Sequence, residues 1–312
     1  MHAFAMTFPG QGSQSVGMLS GLAESFELVR HTFEEASDAL GQDLWSLSQQ
    51  GPAETLNQTE NTQPAMLSAG IAVWRVWDQQ GGAVPSVLAG HSLGEYSAMV
   101  AAGVIDFAAA VKLVAARGRL MQQAVPRGEG AMAAILGLND EQVRDVCARA
   151  ARDQVASAVN FNSPGQVVIA GNAEAIARAI ELAKEAGAKR ALPLDVSVPS
   201  HCALMQDAAD ALYRQMQAIS FNKPSIPVIQ NVNVVASDDV EQIRILLKEQ
   251  LYNPVRWVET VQAMADRGAD VLIEAGPGKV LSGLCKRIDK QLSALPVFDG
   301  ASLEKALEAV NG

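Results

Sequence analysis

The sequence reads as an α/β protein in which a largely parallel sheet carries a second, smaller unit inserted partway along the chain. Short apolar runs alternate with longer stretches of helical periodicity toward both ends, and a block at residues 126–197 follows its own order of shorter elements. No repeat or low-complexity tract interrupts either pattern. With 312 residues, 49% of them hydrophobic, the chain can bury one large core, or a core with an insert.

The elements follow in order. Residues 3–8 form an apolar strand stopped by Pro9-Gly10, and the loop "GQGSQ" comes next. Helical periodicity runs over 19–40, 63–79 and 106–124, while 84–89 reads as a buried strand leading straight into Gly90 and the helix-like "EYSAMVAAGVI". In the insert, "AMAAILGL" predicts a strand, "DEQVRDVCARAA" a helix, "VASAVNF" and "QVVIAG" two strands around an Asn-Ser-Pro-Gly turn, "AEAIARAIELAKEAG" a helix and "RALPLDV" a strand. That βαββαβ order is a ferredoxin-like unit closing over a larger domain, and a cleft between the two is the natural ligand site. The expected division is 1–125 with 198–312 for the large core and 126–197 for the insert. The main sheet then resumes with "SIPVIQNV" and with "ADVLIEAG", which ends in the turn "GPG".

Charge and cysteine usage narrow the function classes. The net charge of −10 repels phosphate backbones and anionic lipid, so no nucleic acid or membrane partner is expected. Cys147, Cys202 and Cys285 are far apart with no CxxC, which suggests neither a disulfide framework nor a metal site. The first residues hold no basic leader and no long apolar run, so a cytoplasmic protein is expected.

Gly90-His-Ser-Leu-Gly94 fits the nucleophile-elbow pattern G-x-S-x-G, with the required strand before it and helix after it. The tight turn exposes the Ser92 hydroxyl at a helix amino terminus, and the Leu93 N–H is then available to an oxyanion. The plainer alternative is a serine N-cap. A serine nucleophile needs a base. Of four histidines, His2 is terminal, His31 lies on a charged helix, and His91 is expected to point away from its neighbour; His201 in "VSVPSHCALM" is left, with a structural histidine as the alternative. Arg117 lies three or four positions from Leu113, Val114, Leu120 and Met121, so it projects from an apolar helix face, whereas Arg119 is solvated. An inward arginine must find an anion: either a structural partner such as Glu95 or an internal carbonyl, or a substrate carboxylate held by its planar fork.

"FPGQGSQ" at 8–14, "GHSLGE" at 90–95, Arg117, "VNFNSPGQVVIAG" at 159–171, "VSVPSHCALM" at 196–205 and "QLYNPVRW" at 250–257 together resemble the malonyl-CoA:acyl-carrier-protein transacylase family, across nearly the whole chain. The resemblance implies an α/β-hydrolase-like core with an inserted ferredoxin-like subdomain, and transfer of malonyl from coenzyme A to the phosphopantetheine thiol of acyl carrier protein. It implies that Ser92 accepts the acyl group, that His201 is its base, that the Gln250 backbone carbonyl orients His201, and that Gln11 joins Leu93 in the oxyanion hole. Asp195 receives no role. Met121, Gln63, Asn160 and Asn162 are the further candidate substrate contacts, with an asparagine turn as the alternative for the last two. No cofactor is expected beyond the substrates malonyl-CoA and phosphopantetheinylated carrier protein, and a monomer is expected. Lys189, Arg190, Lys279, Lys286, Arg287 and Lys290 are candidate contacts for an acidic carrier protein, or only a solvated face. Three other readings remain at this point: a serine hydrolase without an inward arginine, a non-catalytic acyl-CoA or carrier-protein binding module without need of a base, and a polyketide-type acyltransferase of other acyl selectivity. A chain of this length has no room for a ketosynthase, so a free-standing enzyme is expected.

Overall fold

A computed structural model describes residues 3–196 and 198–311; His2 and Ser197 of the motifs above lie outside them. Its strands are β1 (Phe4–Phe8), β2 (Val87–Gly90), β3 (Gly130–Leu136), β4 (Ala156–Ser163), β5 (Gln166–Asn172), β6 (Arg190–Pro193), β7 (Val228–Ile229), β8 (Val271–Ala275) and β9 (Ser293–Val297). Five of them form a parallel sheet in the order β7-β2-β1-β8-β9, and four form a separate antiparallel sheet in the order β4-β5-β3-β6.

Every residue of β1, β2 and β8 is buried. A parallel sheet covered on both faces favours near-continuous apolar side chains, and its polar exceptions here are paired: Thr7 Oγ1 donates to the Ile273 carbonyl, and Glu274 accepts from the Leu281 and Ser282 N–H groups. Alternation then divides the apolar residues between two cores: Phe4, Met6, Phe8, Leu88 and Ile273 face one layer of helices, whereas Ala5, Val87, Ala89 and Leu272 face the other. The antiparallel sheet is built from residues 130–193 in the expected βαββαβ order. Ala133, Ile135, Val167 and Ile169 pack under the helices Asp140–Ala151 and Ala173–Glu185, while Met132, Val168 and Ala170 point to the opposite face. The antiparallel sheet is tied to the large core where Phe161 N–H donates to the carbonyl of Val255, in the loop before helix Trp257–Asp266 (3.0 Å), and Val255 N–H donates to the Val159 carbonyl (2.8 Å).

Several expected elements are corrected. The second strand starts at Val87, not 84: Pro85 has no N–H for a ladder, and Val84 is 74% exposed. The helix expected over 19–40 is two, Ser20–Ser25 and Glu27–Leu40, because Phe26 takes an extended backbone (φ −138°) and packs its ring on the core. The helix expected from 63 begins at Thr59 and contains Pro64. "SIPVIQNV" contributes only two residues to the sheet, and "RALPLDV" leaves its sheet after Pro193. Helices Leu44–Gln50 and Ala53–Leu56 and strand β9 were not anticipated.

Candidate active site

The register of the parallel sheet assembles the site. Phe8 pairs with Gly90, so the loops leaving β1 and β2 emerge side by side at the carboxyl edge of the sheet, where ligands of open α/β sheets bind. Their approach is tight enough to require glycine. A Cβ on Gly90 would stand 1.9 Å from the Gly94 carbonyl carbon, one on Gly94 would stand 2.0 Å from the Phe8 carbonyl oxygen, and one on Gly10 would stand 2.5 Å from the His91 carbonyl oxygen. Between these contacts Ser92 is held at φ 51°, a left-handed conformation rare for residues with a side chain. It is a strained turn serine just before helix Gly94–Ala101, and among the described residues no side chain caps the amino end of that helix.

Ser92 Oγ lies 2.7 Å from His201 Nε2, and His201 Nδ1 lies 2.6 Å from the Gln250 backbone oxygen. That carbonyl belongs to the residue ending helix Val240–Glu249, whose amino end is capped by Asp239. Terminal helix carbonyls have no partner further along the helix, so this one is free to hold an imidazole N–H in place. The bond fixes the tautomer: Nδ1 donates, leaving Nε2 to accept the serine proton. Burial, and then the Arg117 charge, pull the His201 pKa down to about 3 against the opposing Gln250 bond, so the ring is neutral at pH 7.

A cleft of about 120 Å³ opens beside this pair. Gln11, Ser92, Leu93, Arg117, Met121, Asn160 and His201 line it, with apolar walls from Met132 and Val168 of the antiparallel sheet and from Leu194, Val196 and Val198. Arg117 is 1% exposed, as the spacing on helix Phe107–Ala124 predicts, and Arg119 is exposed. Its partners are neutral: Nη1 donates to Gln63 Oε1 (2.9 Å), Nη2 to Gln250 Oε1 (2.9 Å) and, at 3.4 Å, to Ser92 Oγ. Among the described residues no carboxylate lies within ion-pair distance of it, and its Nε has no partner.

The remaining candidates divide. Asn160 lines the cleft with its Oδ1 buried and without a partner among the described residues. Gln63 sits behind Arg117 instead, and its Nε2 reaches Met121 Sδ at 3.6 Å. Asn162 also stays off the cleft wall and bonds His91 Nε2 at 2.8 Å. His91 does not turn away as expected: it is among the residues lining the cleft, and its ring rests edge-on to Trp257. Burial lowers its pKa, with the Asn162 bond opposing. His31 and Asp195 are exposed. Asn231 was missed. Its Oδ1 accepts the Ser92 N–H (2.8 Å) and its Nδ2 donates to the Gly90 carbonyl (2.7 Å). The available signal was its place just after β7, at the same sheet edge as the elbow.

A strained serine bonded to a neutral, tautomer-locked histidine on an α/β scaffold defines a serine-nucleophile enzyme of the acyl-transfer type. Residues 6–299 match the acyl transferase domain family. The malonyl CoA-acyl carrier protein transacylase of Escherichia coli K12 is 58% identical over 99% of this chain and 100% of its own length. The crystal structure of an acyl carrier protein S-malonyltransferase from Vibrio cholerae is 62% identical, with a TM-score of 0.95 over 97% of this chain and 99% of that one. A type II PKS acyl-carrier protein in complex with its malonyl-transacylase offers a third similarity: 59% identity and a TM-score of 0.97, covering 98% and 99%. The chain belongs to the malonyl-CoA:acyl-carrier-protein transacylase family. Among the described residues no helix is long and apolar enough to cross a membrane.

Proposed function

We propose that this chain moves a malonyl group from malonyl-CoA to the phosphopantetheine thiol of acyl carrier protein by way of a malonyl-serine intermediate. The observation that carries the substrate choice is Arg117, a buried guanidinium beside the nucleophile whose direct partners are neutral oxygens. A buried cation without an adjacent carboxylate is poised for one brought by substrate. An ester hydrolase has no use for it.

The reaction runs in two mirrored halves. Ser92 Oγ attacks the thioester carbonyl as its proton passes to His201 Nε2, and the oxyanion accepts from the Leu93 and Gln11 N–H groups. Collapse breaks the C–S bond, and the coenzyme A sulfur leaves with the proton from His201. The carrier thiol then gives its proton to His201 and attacks the malonyl ester; Ser92 departs and recovers the proton. His201 acts with a carbonyl in place of a triad carboxylate. The carboxyl end of helix Val240–Glu249 supplies partial negative charge toward the transient imidazolium, a weaker substitute for a full anion.

Gln63 supports Arg117 from behind, Met121 and Asn160 contact the acyl group, and Asn162 acts through His91. No cofactor takes part. The 1–125 and 198–312 segments form an α/β-hydrolase-like core, and 126–197 a ferredoxin-like subdomain whose strand order, β4-β5-β3-β6, supports that reading. The enzyme works as a cytoplasmic monomer, and the acidic carrier protein docks on the cationic surface of Lys189, Arg190, Lys279, Lys286, Arg287 and Lys290; Lys279, Lys286 and Lys290 share one groove. Intact-mass measurement after mixing with malonyl-CoA tests the reading: one malonyl adduct is expected on wild type and none on Ser92→Ala. An adduct on the mutant, or none on either protein, refutes it.

A further inference from the structure

Beneath Ser92 lies a buried polar group set that none of the proton transfers above passes through. Glu95 is fully buried on helix Gly94–Ala101, and its Oε2 accepts from the Asn231 N–H at 3.0 Å and from Gln250 Nε2 at 2.9 Å. The same Gln250 amide accepts from Arg117 Nη2 through Oε1 and donates through Nε2 to the Ser92 carbonyl at 3.0 Å. Guanidinium and carboxylate are therefore joined through one amide instead of touching, and each end of the amide dipole faces the charge it favours. Asn231, also buried, spans the elbow from the Gly90 carbonyl to the Ser92 N–H.

We propose that Glu95 and Asn231 are positioning residues for acyl transfer: together they hold the Ser92 turn and the Gln250 segment as one unit, and Glu95 is the through-amide counter-ion of Arg117. The inference rests on the function proposed above and deepens it. A buried guanidinium with no anion nearby is costly, and a direct ion pair would occupy the fork that must take the substrate carboxylate. Placing the carboxylate one amide away meets both demands. At a pH where Glu95 is ionised, the arginine is neutralised when the cleft holds no acyl group and still presents N–H groups to it. The ionisable groups around Glu95 are Arg117 on the facing helix and Tyr96 on its own; burial raises Glu95 to about 7, with Gln250, Asn231 and Arg117 opposing. At pH 8 the carboxylate is mostly charged.

Glu95→Gln keeps the shape and an acceptor oxygen but removes that charge, so an incoming malonyl carboxylate meets an uncompensated Arg117. At pH 8 the ratio of kcat/KM for malonyl-CoA to that for acetyl-CoA should rise about tenfold, mainly through a lower malonyl-CoA KM, which a merely structural role would not do. A ratio that holds or falls overturns the counter-ion role. Asn231→Ala strands the Ser92 N–H and the Gly90 carbonyl, and modification of Ser92 by the neutral reagent phenylmethanesulfonyl fluoride should slow at least tenfold. Asn231→Asp, which keeps the acceptor toward Ser92 and loses the donor toward Gly90, should fall between. Wild-type reagent rates in both variants overturn the positioning role. Where Asn231→Ala loses the fold, the isosteric variants still decide. A wild type that malonyl-CoA does not acylate sinks the proposed function and the counter-ion role with it, whereas reagent rates still judge Asn231 separately.

Discussion

Replacing Arg117 by alanine separates a malonyl transferase from a general acyl hydrolase. The guanidinium sits beside the nucleophile, with Nη2 3.4 Å from Ser92 Oγ. A fork in that position gives an incoming carboxylate charge-assisted bonds worth on the order of 2–4 kcal/mol in a partly desolvated site, or roughly 30- to 900-fold in kcat/KM for malonyl-CoA. Acetyl-CoA has no carboxylate to lose, so its kcat/KM should hold or rise. Arg117 also depresses the His201 pKa, second only to burial. Without it the imidazole pKa moves up from about 3 toward its ordinary value. In the proposed mechanism the neutral ring is the active base, so the acid limb of the acetyl-CoA kcat/KM profile should move to higher pH in the variant. The truncation strands Gln63 Oε1 and Gln250 Oε1, each at a cost of about 1–3 kcal/mol, so some loss of Tm is expected and circular dichroism must accompany the kinetics. An equal fall with both thioesters in a folded variant would show that Arg117 holds the site together without reading the acyl group.

Three further outcomes follow from the geometry. Parallel double-reciprocal lines are expected for malonyl-CoA against carrier protein, since one serine is acylated and discharged in turn; intersecting lines would require both substrates to bind together. Gly94→Ala drives a Cβ to 2.0 Å from the Phe8 carbonyl oxygen at the carboxyl end of the central strand, so denaturant titration should show a loss of at least about 4 kcal/mol, and a loss under 1 kcal/mol would contradict the packing. Glu95, raised to about 7 in the folded chain from an ordinary value near 4.5, favours the protonated folded form. Its contribution to stability is therefore fully present below pH 4.5 and lost as pH rises through 7, about 3 kcal/mol in all. Glu95→Gln should flatten that slope in urea titrations between pH 5 and 8, and an unaltered slope would place the titration elsewhere.

What was legible in the sequence was what depends on near neighbours along the chain. The buried runs at β1, β2 and β8 announce strands because a covered parallel sheet leaves them no polar face, and G-x-S-x-G announces the elbow because only glycine survives 2 Å approaches of backbone. Arg117 is legible by helical spacing alone. β9 is not, since Pro296 argues against a strand until its position at the sheet edge is known, and β7 is too short to carry a pattern. Glu95 is legible as a possible partner of Arg117, but Asn231 and the bond it makes to Glu95 are hidden for a different reason: the partners lie more than 130 residues apart, and only the adjacency of β7 and β2 brings them together.

Gln250 shows the limit most sharply. Its bond to His201 uses the backbone carbonyl, which any residue would supply, so no property of glutamine marks that role; the family resemblance alone pointed to it. The side chain has its own reason to be glutamine. Only an amide can accept from Arg117 at one end while donating to Glu95 and the Ser92 carbonyl at the other. A glutamate there would set a second carboxylate against Glu95 and form a direct ion pair with Arg117. An alanine would keep the carbonyl that holds His201 and lose the bridge. The identity of this residue thus reports on charge balance beneath Ser92, and its backbone on the orientation of His201.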